Sequence, residues 1–121
     1  MELKGKATLL KIFIGESDRV EGKLLYEVIV EEARKAGLAG ATACRGVMSF
    51  GASHSIHTMK IFALSGDLPV VIEIIDSKEN IEGFLPLLNS LMDKSKKGGL
   101  VITEKIKVHR YRQGEKYKKQ E

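Results

Sequence analysis

Disulfide chemistry is excluded within this chain, because its single cysteine, Cys44, has no intrachain partner. Its setting in an apolar strand pattern predicts a buried, unreactive thiol. No apolar run is long enough to span a bilayer. The opening segment MELKGKATLLKIFIGESD also lacks a small-residue cleavage site, so neither a signal peptide nor a membrane helix is expected, and a cytoplasmic location is. There is no proline-rich or serine-rich linker and no repeat of solenoid length. Aromatic residues make up only 6%, and the central strand patterns carry Val, Ile and Ala where an open RNA-binding sheet needs stacking rings, which argues against nucleic acid as a partner. A nucleophile elbow and a dinucleotide fingerprint are both missing, and the carboxylates lie mostly at helical spacings typical of solvated faces, so no enzymatic apparatus is expected. The segment GESDRVEGK resembles a phosphate-binding loop only superficially, since six residues rather than four separate Gly15 from Gly22, and Leu24 stands where Ser or Thr is required.

What is present is globular. The 121 residues, 43% hydrophobic and 30% charged, suit one domain over residues 1–114 with a basic tail over 115–121, in which Lys116, Lys118 and Lys119 outnumber Glu115 and Glu121. The net charge of +4 fits an anionic ligand but falls short of the concentrated stripe of a nucleic-acid binder.

Residues 7–14, ATLLKIFI, form a β pattern ending at Gly15, and the polar stretch from Glu16 to Glu21 contains the cap-like pair Asp18 and Glu21. Leu24, Leu25, Val28, Ile29, Ala33 and Ala36 then recur at helical spacing, and Gly37 stops the run. A second strand follows over about Ala41 to Met48, then a long glycine, serine and histidine segment from Ser49 to Asp67, then an apolar third strand from Leu68. A second helix is expected from Ser77 as N-cap to about Asp93, with Ile81, Phe84, Leu85, Leu88 and Leu91 as its stripe and Pro86 kinking or interrupting it. Lys94 to Gly99 makes a basic loop before the last strand, which is expected to break near Thr103 to Lys105. The order βαββαβ predicts an α+β, ferredoxin-like sandwich with both helices on one face of an antiparallel sheet. The first and third strands look apolar on both faces, whereas two helices cover only one. Self-association through the sheets is therefore expected, with clefts between subunits; the alternative is that the long loop folds over the exposed face.

The chemically pointed part of the chain is its last quarter. Gly98 and Gly99 precede the strand GLVITEKIKVHRYR, in which alternation places Ile106, Val108, Arg110 and Arg112 on one side. Two guanidiniums at that spacing suit a polyphosphate, since arginine keeps its charge and binds phosphate oxygens in bidentate fashion. A solvated basic strand end is the other reading of the same spacing.

Taken together, AGLAGATACRGVMSFG after the first helix and the closing GLVITEKIKVHRYRQGE resemble the PII family of signalling proteins, and the whole chain looks like its PII-like branch. The resemblance implies a homotrimer that binds an adenine nucleotide (ATP, ADP or AMP, with or without magnesium) in the clefts between subunits. It further implies that the loop 49–67, carrying His54 and His57, passes the ligand state to a regulated partner such as a membrane transporter or channel. It would put Arg110 and Arg112 on the phosphates, let Lys97, Gly98 and Gly99 approach them, and have Gly46, Phe50 and Gly51 shape the opposite wall. Glycine amides can form an anion nest, which agrees with this assignment. Two departures stand out. Gly99 occupies the place of the family's phosphate-contacting loop lysine, with Lys96 and Lys97 upstream. The loop also has no tyrosine to modify, and its middle, HTMKIFAL, is apolar enough for a short helix.

The alternative function is metal binding. His54 and His57 are three apart, although His109 lies far along the chain and no third ligand is evident. Trimeric CutA-type proteins, linked to divalent-metal tolerance, share the topology, so a metal-responsive module is the second reading.

Overall fold

In the computed structural model, residues 3–50, 56–58, 68–112 and 114 are described. A four-stranded sheet forms from β1 (Gly5–Gly15), β4 (Ala41–Arg45), β7 (Pro69–Asp76) and β8 (Leu100–Val108), in the order β4-β7-β1-β8. All three pairings are antiparallel, and α1 (Leu25–Lys35) and α2 (Lys78–Ser95) complete the α+β ferredoxin-like sandwich expected from the pattern. No helix among the described residues is long and apolar enough to cross a membrane.

Period-two alternation selects the face that meets the helices. Leu10, Ile12 and Ile14 of β1 oppose Ile74, Ile72 and Val70 of β7, and all six are buried. Onto them α1 lays Leu25, Ile29 and Ala33, while α2 lays Ile81, Phe84 and Leu88, each set recurring along one helical stripe. Each large side chain so buried contributes about 1.5 to 3 kcal/mol.

The helix boundaries follow local chemistry. Residues 16–24 depart from the expected cap: β2 (Arg19–Val20) and β3 (Lys23–Leu24) pair as a tight hairpin around Glu21 and Gly22. Both turn residues have positive φ, 50° and 82°, as the tightest two-residue hairpin turn demands, so Glu21 is committed to the turn and cannot cap. Asp18 still serves the helix, but through its backbone: its carbonyl accepts from the Leu25 amide at 2.8 Å while its carboxylate accepts from the Gly15 amide at 2.9 Å. Gly37, at φ 77°, ends α1 as expected. Ser77 caps α2 by accepting from the Asn80 amide at 3.2 Å. Pro86 lies inside α2 without interrupting it; both Pro86 and Glu82, whose carbonyl loses its amide partner, are on the exposed side. The left-handed residue closing α2 is Lys96, at φ 59°, rather than one of the glycines that follow.

Further expectations are revised. The second strand stops at Arg45, and β5 (Met48–Phe50) turns instead to pair with β6 (Ile56–Thr58), so His57 and Thr58 are extended rather than helical; the rest of HTMKIFAL lies outside the described residues. β8 is unbroken, each of its nine residues standing in register with β1 from Phe13↔Leu100 to Gly5↔Val108. It also ends at Val108, so strand alternation does not extend to Arg110 and Arg112. Finally, the sheet face away from the helices is not apolar throughout. Leu9, Phe13, Val71, Ile75, Leu100 and Ile102 share it with Lys11 and Glu73, which oppose each other across the β1/β7 ladder at 3.7 Å. Cys44, in register with Val71 on edge strand β4, is on this face and exposed, contrary to the buried thiol predicted.

Asp76 joins three elements at one end of the sheet. Buried at 4% exposure, it accepts from the Ala39 amide at 2.7 Å, the Ser77 amide at 2.6 Å and the Asn80 side chain at 2.9 Å. Replacing it with Ala strands two main-chain donors, and Asp76→Ala is expected to destabilise the protein by about 3 kcal/mol in urea unfolding at fixed protein concentration. A loss under about 1 kcal/mol would show that water replaces the carboxylate.

Candidate anion-binding site

The arginines lie just past the end of β8, beside the start of β1. Together with Leu3, Lys4, His109 and Tyr111 they line a cleft of about 250 Å³. Arg110 and Arg112 are both exposed, and the lining holds three fixed cations and no carboxylate among the described residues. Lys4 is the member that the sequence did not disclose. It precedes the first strand by one residue, and only the antiparallel pairing of β1 with β8 carries it to the arginines. The segment is held by Leu3, whose amide donates to the Tyr111 carbonyl at 3.2 Å, and by Tyr111, whose hydroxyl donates to the Ala39 carbonyl.

The glycine residues gather at the other end. Gly46 follows β4, and its amide donates to the Pro69 carbonyl at 2.7 Å, closing the root of the long loop. A Cβ at Gly46 would come within 2.9 Å of the Pro69 ring. Gly98 and Gly99 enter β8; Lys97 is exposed, its amide donating to Ser95 Oγ at 3.3 Å. A Cβ at Gly99 would stand 2.6 Å from Met92 Cε and 3.0 Å from the Phe13 carbonyl oxygen. Both glycines are thus favoured by contacts inside the chain, Gly46 by a proline ring and Gly99 by the main chain of β1 and the more yielding tip of Met92, independently of any ligand. Beside them Glu16, at the end of β1, pairs with Arg45, at the end of β4. Phe50 is in β5 and His57 in β6, while Gly51 and His54 lie outside the described residues.

One protomer therefore does not bring the two halves of the expected site together. β8 spans nine residues, and at about 3.3 Å per residue it separates Gly99 from the arginines by roughly 30 Å. The steric argument at Gly99 makes a prediction that needs no ligand: Gly99→Ala should lower stability by about 1 to 3 kcal/mol, the range for overpacking, in thermal or urea unfolding of the ligand-free protein. Unchanged stability would mean that Met92 and β1 yield at no cost.

Comparison with known proteins agrees with this architecture. Residues 7–108 match the DUF190 family, described as "Uncharacterized ACR, COG1993". A UPF0166 protein of Aquifex aeolicus is 40% identical over 103 residues, covering 85% of this chain and 93% of that one. The UPF0166 protein MJ1524 of Methanocaldococcus jannaschii is 38% identical over 112 residues, covering 93% and 97%. Among solved structures, CPII from Thiomonas intermedia K12, a nitrogen regulatory PII-like protein bound to ADP, AMP and bicarbonate, superposes with a TM-score of 0.59 at 20% identity, over 87% of this chain and 90% of its own. A second structure of CPII, bound to ADP and bicarbonate, gives 0.56, also at 20% identity. By sequence the chain belongs to the DUF190 family, and by architecture it has the fold of the PII-like proteins.

Proposed function

We propose that this protein is a non-enzymatic, PII-like regulator of the cytoplasm. In this reading it assembles as a trimer, takes an adenine nucleotide between subunits, and reports the ligand through the loop 49–67. The observation that carries the proposal is the cleft free of described carboxylates, with Lys4, Arg110 and Arg112 converging on it. Fixed cations with no carboxylate beside them among the described residues suit an anion, and guanidiniums favour phosphate oxygens. The fold is shared with a protein bound to ADP and AMP, which supports a nucleotide as the anion.

Assembly accounts for the distance between the two half-sites. The glycine loop of one copy and the arginine cleft of the next can form one site where a single copy cannot. The outer sheet face supports such packing, with Leu100 at 54% and Ile102 at 38% exposure beside half-buried Phe13 and Val71. The glycine loop is at the same end of the sheet as Gly46 and Pro69, the root of the long loop, with β1 between them, because Leu100 and Pro69 pair with Phe13 and Gly15 near the end of β1. A nucleotide there would bias the loop by its difference in affinity for two loop states.

Calorimetry with ATP, ADP and AMP, each with and without magnesium, tests the reading: at least one should bind, and Arg112→Ala should weaken binding by about 1.5 to 3 kcal/mol, the range for a charge-assisted hydrogen bond. Wild-type affinity in that variant would remove Arg112 from the site. Light scattering on dilute protein should give three times the protomer mass, and a monomer would sink the inter-subunit site.

A further inference from the structure

We propose that Tyr111 is the positioning residue of the anion site, fixing the segment that carries Arg110 and Arg112 so that both guanidiniums are presented in one orientation. The proposal rests on the nucleotide reading above and gives a task to a residue that the reading leaves idle. The continuous β1/β8 ladder ends at the Gly5↔Val108 pair, and beyond it the main chain of the arginine segment has only an isolated bridge at Arg112 and the Leu3–Tyr111 hydrogen bond to hold it. An unheld segment would have to be ordered each time a phosphate bound, and the lost backbone and side-chain freedom would weaken the complex.

Tyr111 lies between the two arginines and is secured twice. Its carbonyl accepts from the Leu3 amide at 3.2 Å, and its hydroxyl donates to the Ala39 carbonyl, 72 residues away in sequence. Ala39 is in turn fixed through its amide, which donates to Asp76 Oδ2 at 2.7 Å, and Asp76 is buried. A single residue thus connects the phenol to the carboxylate that organises this end of the sheet. The phenol adds little to the core: Tyr111 is 39% exposed and does not belong to the hydrophobic cluster under the helices. Its hydroxyl bond therefore holds the arginine segment rather than the fold.

Tyr111→Phe removes the hydroxyl and keeps the ring. ADP affinity, measured by calorimetry, is expected to fall roughly three- to tenfold, corresponding to the loss of one hydrogen bond. The midpoint of thermal unfolding should stay within about 2 °C, as for a surface change outside the core. In the Arg112→Ala background the same substitution should cost less affinity than in the wild type, because the part of the effect transmitted through Arg112 vanishes with it while the part through Arg110 remains. Full affinity in Tyr111→Phe, an equal loss in both backgrounds, or a large drop in the unfolding midpoint would each overturn the proposal. If Arg112→Ala itself binds ADP as the wild type does, the nucleotide reading of the cleft fails, and the role of Tyr111 fails with it.

Discussion

The length of β8 is the constraint on which the rest depends. It is continuous, paired along its whole length with the central strand β1, and set at the edge of the sheet. A paired strand of nine residues is a rigid spacer, so the groups at its two ends are fixed roughly 30 Å apart. Glycine residues stand at one end and cations at the other. No side-chain rotation can bridge that distance, and any site needing both ends has to be shared between chains.

The outer face of the sheet determines what sharing would involve. It is apolar enough to favour burial, yet Lys11 and Glu73 form an ion pair across its centre. Removing such a pair from water is expensive unless its remaining hydrogen-bonding capacity is met, so a surface that packs here has to supply polar partners at that point or leave it wet. A uniformly greasy face would accept many partners in many registers. A charged pair at a fixed place restricts them, which is the property needed by an assembly whose clefts must line up.

Much of the architecture was legible in the sequence because it rests on periodicity. The apolar spacing of Leu25, Ile29 and Ala33, the Ser77 cap and the alternation of β1 and β7 all act locally and point to the same arrangement. The misreadings have equally local causes. Asp18 and Glu21 have the composition of a helix cap, but Gly22 behind Glu21 makes a hairpin turn the better use of the segment. The alternating pattern runs past Val108 because nothing in HRYR marks the end of the continuous ladder, which is set by where β1 begins. Both faces of β1 and β7 read as apolar because Lys11 and Glu73 look like isolated exceptions until the register sets them opposite each other. Lys4 was invisible for the same reason, since its relation to Arg110 and Arg112 exists only across the sheet.

Glycine is the weaker half of the site's signature. Gly46 is demanded by the Pro69 ring, and Gly99 by Met92 and the Phe13 carbonyl. Both would be favoured in a protein that bound nothing. The cations are different, because no described contact within the chain needs Lys4, Arg110 and Arg112 around one cleft, and like charges brought together oppose folding. In the proposed site a bound anion would supply the compensation that the described residues do not. The basic end of β8 is therefore the half of the proposed site that packing within the chain does not account for.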